Sequence, residues 1–380
     1  MNRSYWLFSA PVDLAAFAGS ALVALSLLWI GSALGVLQSD TPEWTWVTAV
    51  LLVDVAHVYA TGFRVYFDPA ELRRRPWLYT LTPLLGLVIG LALYSEGELL
   101  FWRTLAYLAV FHFVRQQYGW VALYRARVGE TGWPGKFIDS AAIYLATIYP
   151  LIYWHAHLPR HFWWFLDHDF VSLPTVVERV AAPCYWGALG LYAARSLYCG
   201  VVRHQFNPGK DIVVVTTALC WYVGIVTFNS DYAFTVTNVI IHGVPYFVLV
   251  FWYVCRRTSD SRLPVVEWPG GRGFCRAADA GESLVDGSAG ASLTRLQQPV
   301  PVRMPFEPRR FFGFVATLWL AAYVEELIWD KGIWHTRSWL FGSAWDIGSL
   351  KAFLVPLLAV PQITHYVLDG FLWRRGSRSV

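Results

Sequence analysis

The sequence predicts an all-α fold, a polytopic transmembrane bundle of about ten helices with both termini in the cytoplasm. Hydrophobic residues make up 56% of the 380 residues and charged residues only 15%, whereas a soluble domain carries about 25% charged residues. Apolar runs of about 20 residues, enough to cross a hydrocarbon core about 30 Å thick, recur along nearly the whole chain. The predicted spans are 11–36, 44–63, 79–94, 99–123, 137–153, 177–201, 211–229, 233–255, 310–328 and 350–373.

The first apolar run overlaps "MNRSYWLFSAPVDLAAF", which shows no small-residue cleavage site behind a short apolar core. We therefore interpret it as a retained span rather than a signal peptide. Five cysteines occur singly along the chain, so neither a CxxC metal site nor a disulfide framework is predicted. These cysteines are Cys184, Cys199, Cys220, Cys255 and Cys275.

Lysine and arginine set the predicted orientation, because cytoplasmic loops of membrane proteins are enriched in them. They concentrate before the first span, after the even-numbered spans and in the tail, whereas most other connections are acidic or poor in basic residues. Only the ninth connection, with Lys331 and Arg337, weakens this pattern. We expect an integral, multi-pass protein of the bacterial inner (plasma) membrane. Its net charge of +4 follows this topology and predicts no nucleic-acid partner.

The composition changes in residues 256–309, where "PGGRGF" and "DAGESLVDGSAGAS" are rich in Gly, Ser and Asp. Such a composition is typical of a flexible polar segment, here a cytoplasmic loop. The loop divides the membrane domain into residues 1–255, with the first eight spans, and residues 310–380, with the last two.

Four histidines lie within predicted spans, and all four of these spans are even-numbered, so they run in the same direction. They are His57, His112, His242 and His365. The first basic residue beyond the cytoplasmic end of each predicted span follows the histidine after 7, 13, 14 and 9 residues, respectively. At 1.5 Å per helical residue these depths agree within about 10 Å. The sequence therefore predicts that four imidazoles reach one layer of the bundle.

Polar residues accompany these histidines on the same helix faces, three or four positions away. Asp54 precedes His57, Asp369 follows His365, and Arg115 and Gln116 follow His112, with Gln117 next to them. Carboxylates and amides beside metal-bound imidazoles fix the tautomer and the ring orientation. We expect these residues to support a metal site or to position a substrate. The alternative is that each histidine forms an ordinary interhelical hydrogen bond.

Imidazole ligands suit iron, copper or zinc, and the lack of paired cysteines argues against an iron–sulfur cluster. Two of the histidines can instead ligate a haem b, but bis-histidine haems in bundles usually come in pairs at two depths. One shared layer favours a single non-haem ion with open positions for oxygen or substrate.

Four local motifs resemble the histidine-bearing helices of the Brp/Blh family of membrane β-carotene dioxygenases. They are "VDVAHVYAT", "AVFHFVRQQ", "VIIHGVPYFVLVFWY" and "AVPQITHYVLDG". That family is wholly helical and holds a non-haem iron by histidines from separate spans. The resemblance implies that His57, His112, His242 and His365 are iron ligands, and that the protein is an oxygen-using enzyme.

These observations predict a membrane oxidoreductase, an oxygenase acting on a lipid-soluble substrate such as a carotenoid or another isoprenoid. Its partners would be the bilayer and this apolar small molecule. One alternative is a transporter, or a proton or metal pathway, that uses the same histidines and aspartates. A haem-bearing electron carrier is another.

Two further groups can bind cations. The predicted external segment "WHAHLPRHFWWFLDHD" contains His155, His157, His161 and His168, which can hold zinc or copper or simply belong to an interfacial aromatic belt. Glu325, Glu326 and Asp330 lie near the predicted outer end of the ninth span, where carboxylates are more often solvated.

Overall fold

The computed structural model describes residues 5–38, 41–259 and 308–372. The regular secondary structure in these ranges is helical throughout, which confirms the all-α fold class. Most of the predicted polar loop, residues 260–307 with Cys275, lies outside the described residues, as do both chain ends. The predicted location of the termini is therefore not tested.

Ten long helices in the described ranges correspond in order to the ten predicted spans. They are α1 (Ala10–Ala33), α2 (Glu43–Tyr66), α3 (Pro76–Glu96), α4 (Glu98–Val128), α5 (Trp133–Ala156), α6 (Thr175–Val201), α7 (Pro208–Thr227), α8 (Asp231–Arg256), α9 (Pro308–Trp334) and α10 (Gly348–Leu372). Short helices at Pro69–Arg74 and Ser338–Phe341 lie in connections.

Eight of these helices are both long and apolar enough to cross a membrane, all except α4 and α6. These two have 31 and 27 residues. Their length suffices, but polar side chains interrupt them, as "RQQ" does in α4. An integral multi-pass protein is therefore supported, while ten spans and their orientation stay predictions.

Helix α8 lies at the centre of the bundle. In its most apolar 18-residue stretch 83% is buried, against 17–50% in the other seven candidate spans. Glycine lets the neighbouring α2 approach closely beside the histidines: a Cβ added at Gly243 would lie 2.6 Å from Cγ1 of Val53. A larger residue at position 243 would push apart the two helices that carry His57 and His242.

The turn of α2 that carries His57 is regular, whereas the helix around it is wider. The α-helical segment Ala56–Thr61 lies between two π-helical stretches, Trp46–Val55 and Gly62–Tyr66. Wide turns of this kind are rare and occur often at functional sites. They also shift the rotational phase of the helix, so that the face on which a residue lies cannot be obtained from regular helical spacing.

A buried ionic network joins four helices near the predicted cytoplasmic surface. Asp139 on α5 accepts from Arg125 on α4, from Arg195 on α6 at 3.0 Å and from Lys210 on α7 at 3.1 Å. Glu130, in the α4–α5 connection, accepts from Lys210 at 2.8 Å and from Arg125 at 3.1 Å. These ion pairs link the ends of α4, α5, α6 and α7.

Candidate metal centre

The four histidines predicted to share a layer meet in the interior of the bundle. They are His57 on α2, His112 on α4, His242 on α8 and His365 on α10. None is more than 2% exposed. Four separate helices therefore each bring one imidazole to the same buried place.

The ring nitrogens face one another in two close pairs. Nε2 of His242 lies 3.1 Å from Nε2 of His57, and Nε2 of His365 lies 3.1 Å from Nε2 of His112. His57, His112 and His365 each offer one ring nitrogen, and these three atoms lie within 4.8 Å of one another. His242 falls outside that group of three and joins it through its close pair with His57.

The ring centroids confirm a compact arrangement. The four centroid separations between the pairs 57–242, 57–365, 112–242 and 112–365 are 4.7, 4.8, 5.1 and 4.6 Å. The 57–112 separation is larger, 6.3 Å, because these two rings lie across the group from each other. Neighbouring rings therefore lie about 5 Å apart, which agrees with the prediction that the four imidazoles share one layer.

The spacing within each close pair fits two imidazole ligands of one transition-metal ion, whereas the nitrogens of His57, His112 and His365 lie up to 4.8 Å apart. Two imidazole nitrogens that each lie about 2.0–2.1 Å from one ion are about 2.9–3.4 Å apart at coordination angles of about 90–110°. The two 3.1 Å pairs lie in that range. The same separation suits an N–H···N hydrogen bond, which requires one proton in each pair.

The remaining nitrogens of two histidines have partners that fix their rings. Nδ1 of His57 is hydrogen-bonded to the main-chain oxygen of Asp54, so this nitrogen carries the proton and Nε2 presents its lone pair. Nδ1 of His365 lies 2.7 Å from Oγ1 of Thr61 on α2. Thr61 is a contact that sequence analysis missed, although it lies four residues after His57.

Asp54 and Asp369 lie at the edge of the group. A carboxylate oxygen of Asp54 is 3.7 Å from Nδ1 of His57, as its helical spacing predicted. Asp369 was expected beside His365, but its carboxylate is 3.7 Å from Nδ1 of His112 on another helix. Nδ1 of His242 has no hydrogen-bond partner among the described residues.

Aromatic rings surround the imidazoles. Phe113 stacks on His242 with a centroid distance of 3.5 Å and an interplanar angle of 7°. Tyr366 stacks on His112 at 5.0 Å, and Tyr246 meets His365 edge-on at 5.1 Å. These rings exclude water from the group. Tyr246, four residues after His242, could have been identified from its helical spacing.

The three polar residues after His112 separate in the structure. Nε2 of Gln116 donates to the main-chain oxygen of His242 at 2.8 Å, and Oε1 of Gln117 accepts from Thr217 at 3.1 Å. Gln116 thus supports the helix that carries a histidine, as expected of a neighbouring polar group.

Arg115 does not contact Asp54 or Asp369 among the described residues, and its role in positioning a substrate stays a prediction. Its exposed guanidinium donates to the Tyr144 hydroxyl and lies 5.0 Å from the centroid of the Tyr118 ring. A residue three positions after His112 is rotated by about 60° around a regular helix. For Arg115 this rotation leads to the surface of the bundle.

The other two candidate groups do not form cation sites. His155 is buried against Tyr107, with 3.0 Å between Nε2 and the hydroxyl, while His157 stacks on Tyr153. Within the described part of the chain, His57, His112 and His365 form the only group of three or more His, Cys, Asp or Glu side chains close enough to share an ion. Asp330 instead accepts from the main-chain nitrogens of Thr336 and Arg337.

Comparison of the chain with family models, with curated proteins and with solved structures found no match. The resemblance to the Brp/Blh family is therefore neither supported nor contradicted, and it stays a prediction from four local motifs.

Proposed function

We propose that His57, His112, His242 and His365 bind one transition-metal ion, and that the protein is a membrane-embedded, metal-dependent oxidoreductase. The observation that carries this proposal is the meeting of four buried imidazoles from four helices, with two Nε2–Nε2 separations of 3.1 Å. Fe²⁺ is the proposed ion, in line with the family resemblance, and copper and zinc suit the same donors.

The spacing supports a single ion better than a haem. In bis-histidine ligation the macrocycle lies between the two ligating nitrogens. With centroids of 4.6–5.1 Å between neighbouring rings, the other two imidazoles would occupy the space of the porphyrin. An electron carrier with haem b is therefore the weaker proposal.

The chain's own residues prepare the centre. The hydrogen bond from Nδ1 of His57 to the Asp54 carbonyl leaves Nε2 unprotonated and turned toward the group. The Thr61 hydroxyl on α2, 2.7 Å from Nδ1 of His365, holds the ring of that histidine from a neighbouring helix. Phe113, Tyr246 and Tyr366 exclude water and leave an apolar surround. A bound ion would supply a redox-active or Lewis-acidic centre for oxygen or substrate.

The substrate proposed is lipid-soluble. Three of the histidines lie on helices that are candidate membrane spans, α2, α8 and α10. An apolar molecule can reach such a depth from the bilayer, whereas a charged one would have to be desolvated first. A carotenoid or another isoprenoid is the substrate class that the Brp/Blh resemblance implies, and oxygenation is the corresponding reaction.

Metal analysis and an absorption spectrum of the detergent-purified protein test the proposal. We expect about one metal ion per chain, lost in alanine variants of any of the four histidines, and no haem spectrum. His161→Ala is the matched control, because His161 is an exposed histidine outside the group. The proposal would be overturned if the wild-type protein bound none of the ions Fe²⁺, Cu²⁺ and Zn²⁺ on reconstitution. It would also be overturned if the four variants kept the metal content of the wild type.

A further inference from the structure

Glu325 on α9 is a buried carboxylate in a membrane-spanning helix, with 4% of its surface exposed. It was expected to be solvated near a helix end. Instead its two oxygens accept three hydrogen bonds, from the Tyr59 hydroxyl at 2.6 Å, from Nε1 of Trp329 at 3.1 Å and from Nε2 of Gln362 at 3.0 Å.

Two of these donors lie beside histidines of the centre. Tyr59 is two residues after His57 on α2, and Gln362 is three residues before His365 on α10. Oε2 of Glu325 accepts the hydrogen bond from Tyr59, and Oε1 accepts those from Gln362 and from Trp329 of its own helix. A single carboxylate on α9, a helix that contributes no histidine to the group, thus links the two histidine-bearing helices.

We infer that Glu325 is a positioning residue of the metal centre, an inference that rests on the proposed function. Its carboxylate fixes the depth and rotation of α2 and α10, so that the imidazoles of His57 and His365 face a common point. Removing the carboxyl would leave three donors without their acceptor, and a buried donor without a partner costs free energy. No water in the apolar interior can replace a lost acceptor.

The neighbouring carboxylate shows that this arrangement is specific. Glu326 follows Glu325 on α9 and is only half-buried. It makes no hydrogen bond or ion pair with the described residues and does not link α2 to α10. The Glu326→Ala variant therefore removes a carboxyl group from the adjacent position of the same helix without removing a hydrogen bond of the link.

The test is a titration of metal-depleted protein with Co²⁺, which reports both the dissociation constant and the visible ligand-field bands. Loss of a supporting partner of a metal ligand typically costs 10–100-fold in metal affinity. Glu325 acts one contact further out, through Tyr59 and Gln362, so we expect Glu325→Ala to weaken Co²⁺ binding about tenfold, the lower end of that range, and to shift the bands. Glu325→Gln keeps a carbonyl acceptor for Gln362 and Trp329, so its loss should be smaller. Glu326→Ala should match the wild type.

Wild-type affinity and bands in Glu325→Ala would overturn the inference, and so would an equal loss in Glu326→Ala, which would indicate general destabilisation. If Glu325→Ala does not yield folded protein, Tyr59→Phe and Gln362→Met each remove one donor. Wild-type bands in both of these variants would likewise overturn it. A wild-type protein that takes up no Co²⁺ would instead contradict the proposed metal centre itself.

Discussion

Two groups of buried polar side chains lie inside this bundle, and they differ in the kind of contact that their members make. In the ionic network, Asp139 is fully buried, and its carboxylate is matched by Arg125, Arg195 and Lys210. The histidine group is equally buried, but imidazole nitrogens there face other imidazole nitrogens. The ionic network thus pairs opposite charges, whereas the histidine group brings together four side chains of the same kind.

The difference shows in which region the buried polar atoms find their partners within the chain. In the ionic network the carboxylate oxygens of Asp139 and Glu130 all receive donors from the chain. In the histidine group His57 presents a lone pair at Nε2 to a neighbouring ring nitrogen, and Nδ1 of His242 has no partner among the described residues. Buried polar groups without a partner cost free energy. We therefore expect the network to serve stability and the histidine group to serve a ligand.

The largest expected effect is on the ionic network. Asp139→Ala leaves the buried cations of Arg125 and Lys210, together with the partly exposed Arg195, with only Glu130 to compensate them. Breaking a buried ion pair from one side costs about 3–5 kcal/mol. Thermal unfolding of the purified protein in detergent should show a large loss of stability. Asp167→Ala, at an exposed aspartate, is the control. A loss no larger than the control's would contradict a structural role for the network.

Metal removal should have the next largest effect, and only on the histidine group. A ligand that binds the folded state at 100 times its dissociation constant stabilises it by about 2.7 kcal/mol. Unfolding measured with Zn²⁺ and then with a chelator should differ by about that amount in the wild type. The difference should vanish in His112→Ala but persist in Asp139→Ala if that variant folds. An equal response in His112→Ala would contradict metal binding by the histidines.

A pH dependence should appear in the network through Glu130, which lies in a connection. Burial would raise the pKa of this carboxyl, but the Lys210 ammonium and neighbouring donors outweigh it and hold the pKa below its usual 4.5. Its contribution to stability is therefore present above pH 4.5 and lost as the pH falls through the lower folded-state pKa. The difference in unfolding free energy between the wild type and Glu130→Gln, measured from pH 7 to pH 3, gives this contribution. Identical pH profiles would contradict it.

The smallest effect is expected at Arg115, which belongs to the motif of His112 but not to its group. Its exposed side chain contacts Tyr144 and Tyr118, and substitutions at such surface positions usually change stability by less than about 0.5 kcal/mol. Arg115→Ala should keep the metal content and the Co²⁺ bands of the wild type. A loss of metal in this variant would show that the motif acts as one unit.

The sequence by itself determined the helical class, the order of the long helices and the depth of the four histidines. Hydropathy and charge are local properties, and a rise of 1.5 Å per residue converts position along the chain into depth. Hence His57, His112, His242 and His365 were expected in one layer, and the structure brings them together there.

Only the tertiary structure decided which side chains face the group. Arg115 and Gln116 are adjacent and both were expected there, yet one reaches the surface and the other reaches the main chain of α8. Asp369 supports a histidine on another helix, and Glu325 proved to link two of the histidine-bearing helices. Residues three and four positions from a histidine differ by about 100° in direction. The rotation of each helix depends on packing and on the wide turns of α2, which no local pattern in the sequence specifies.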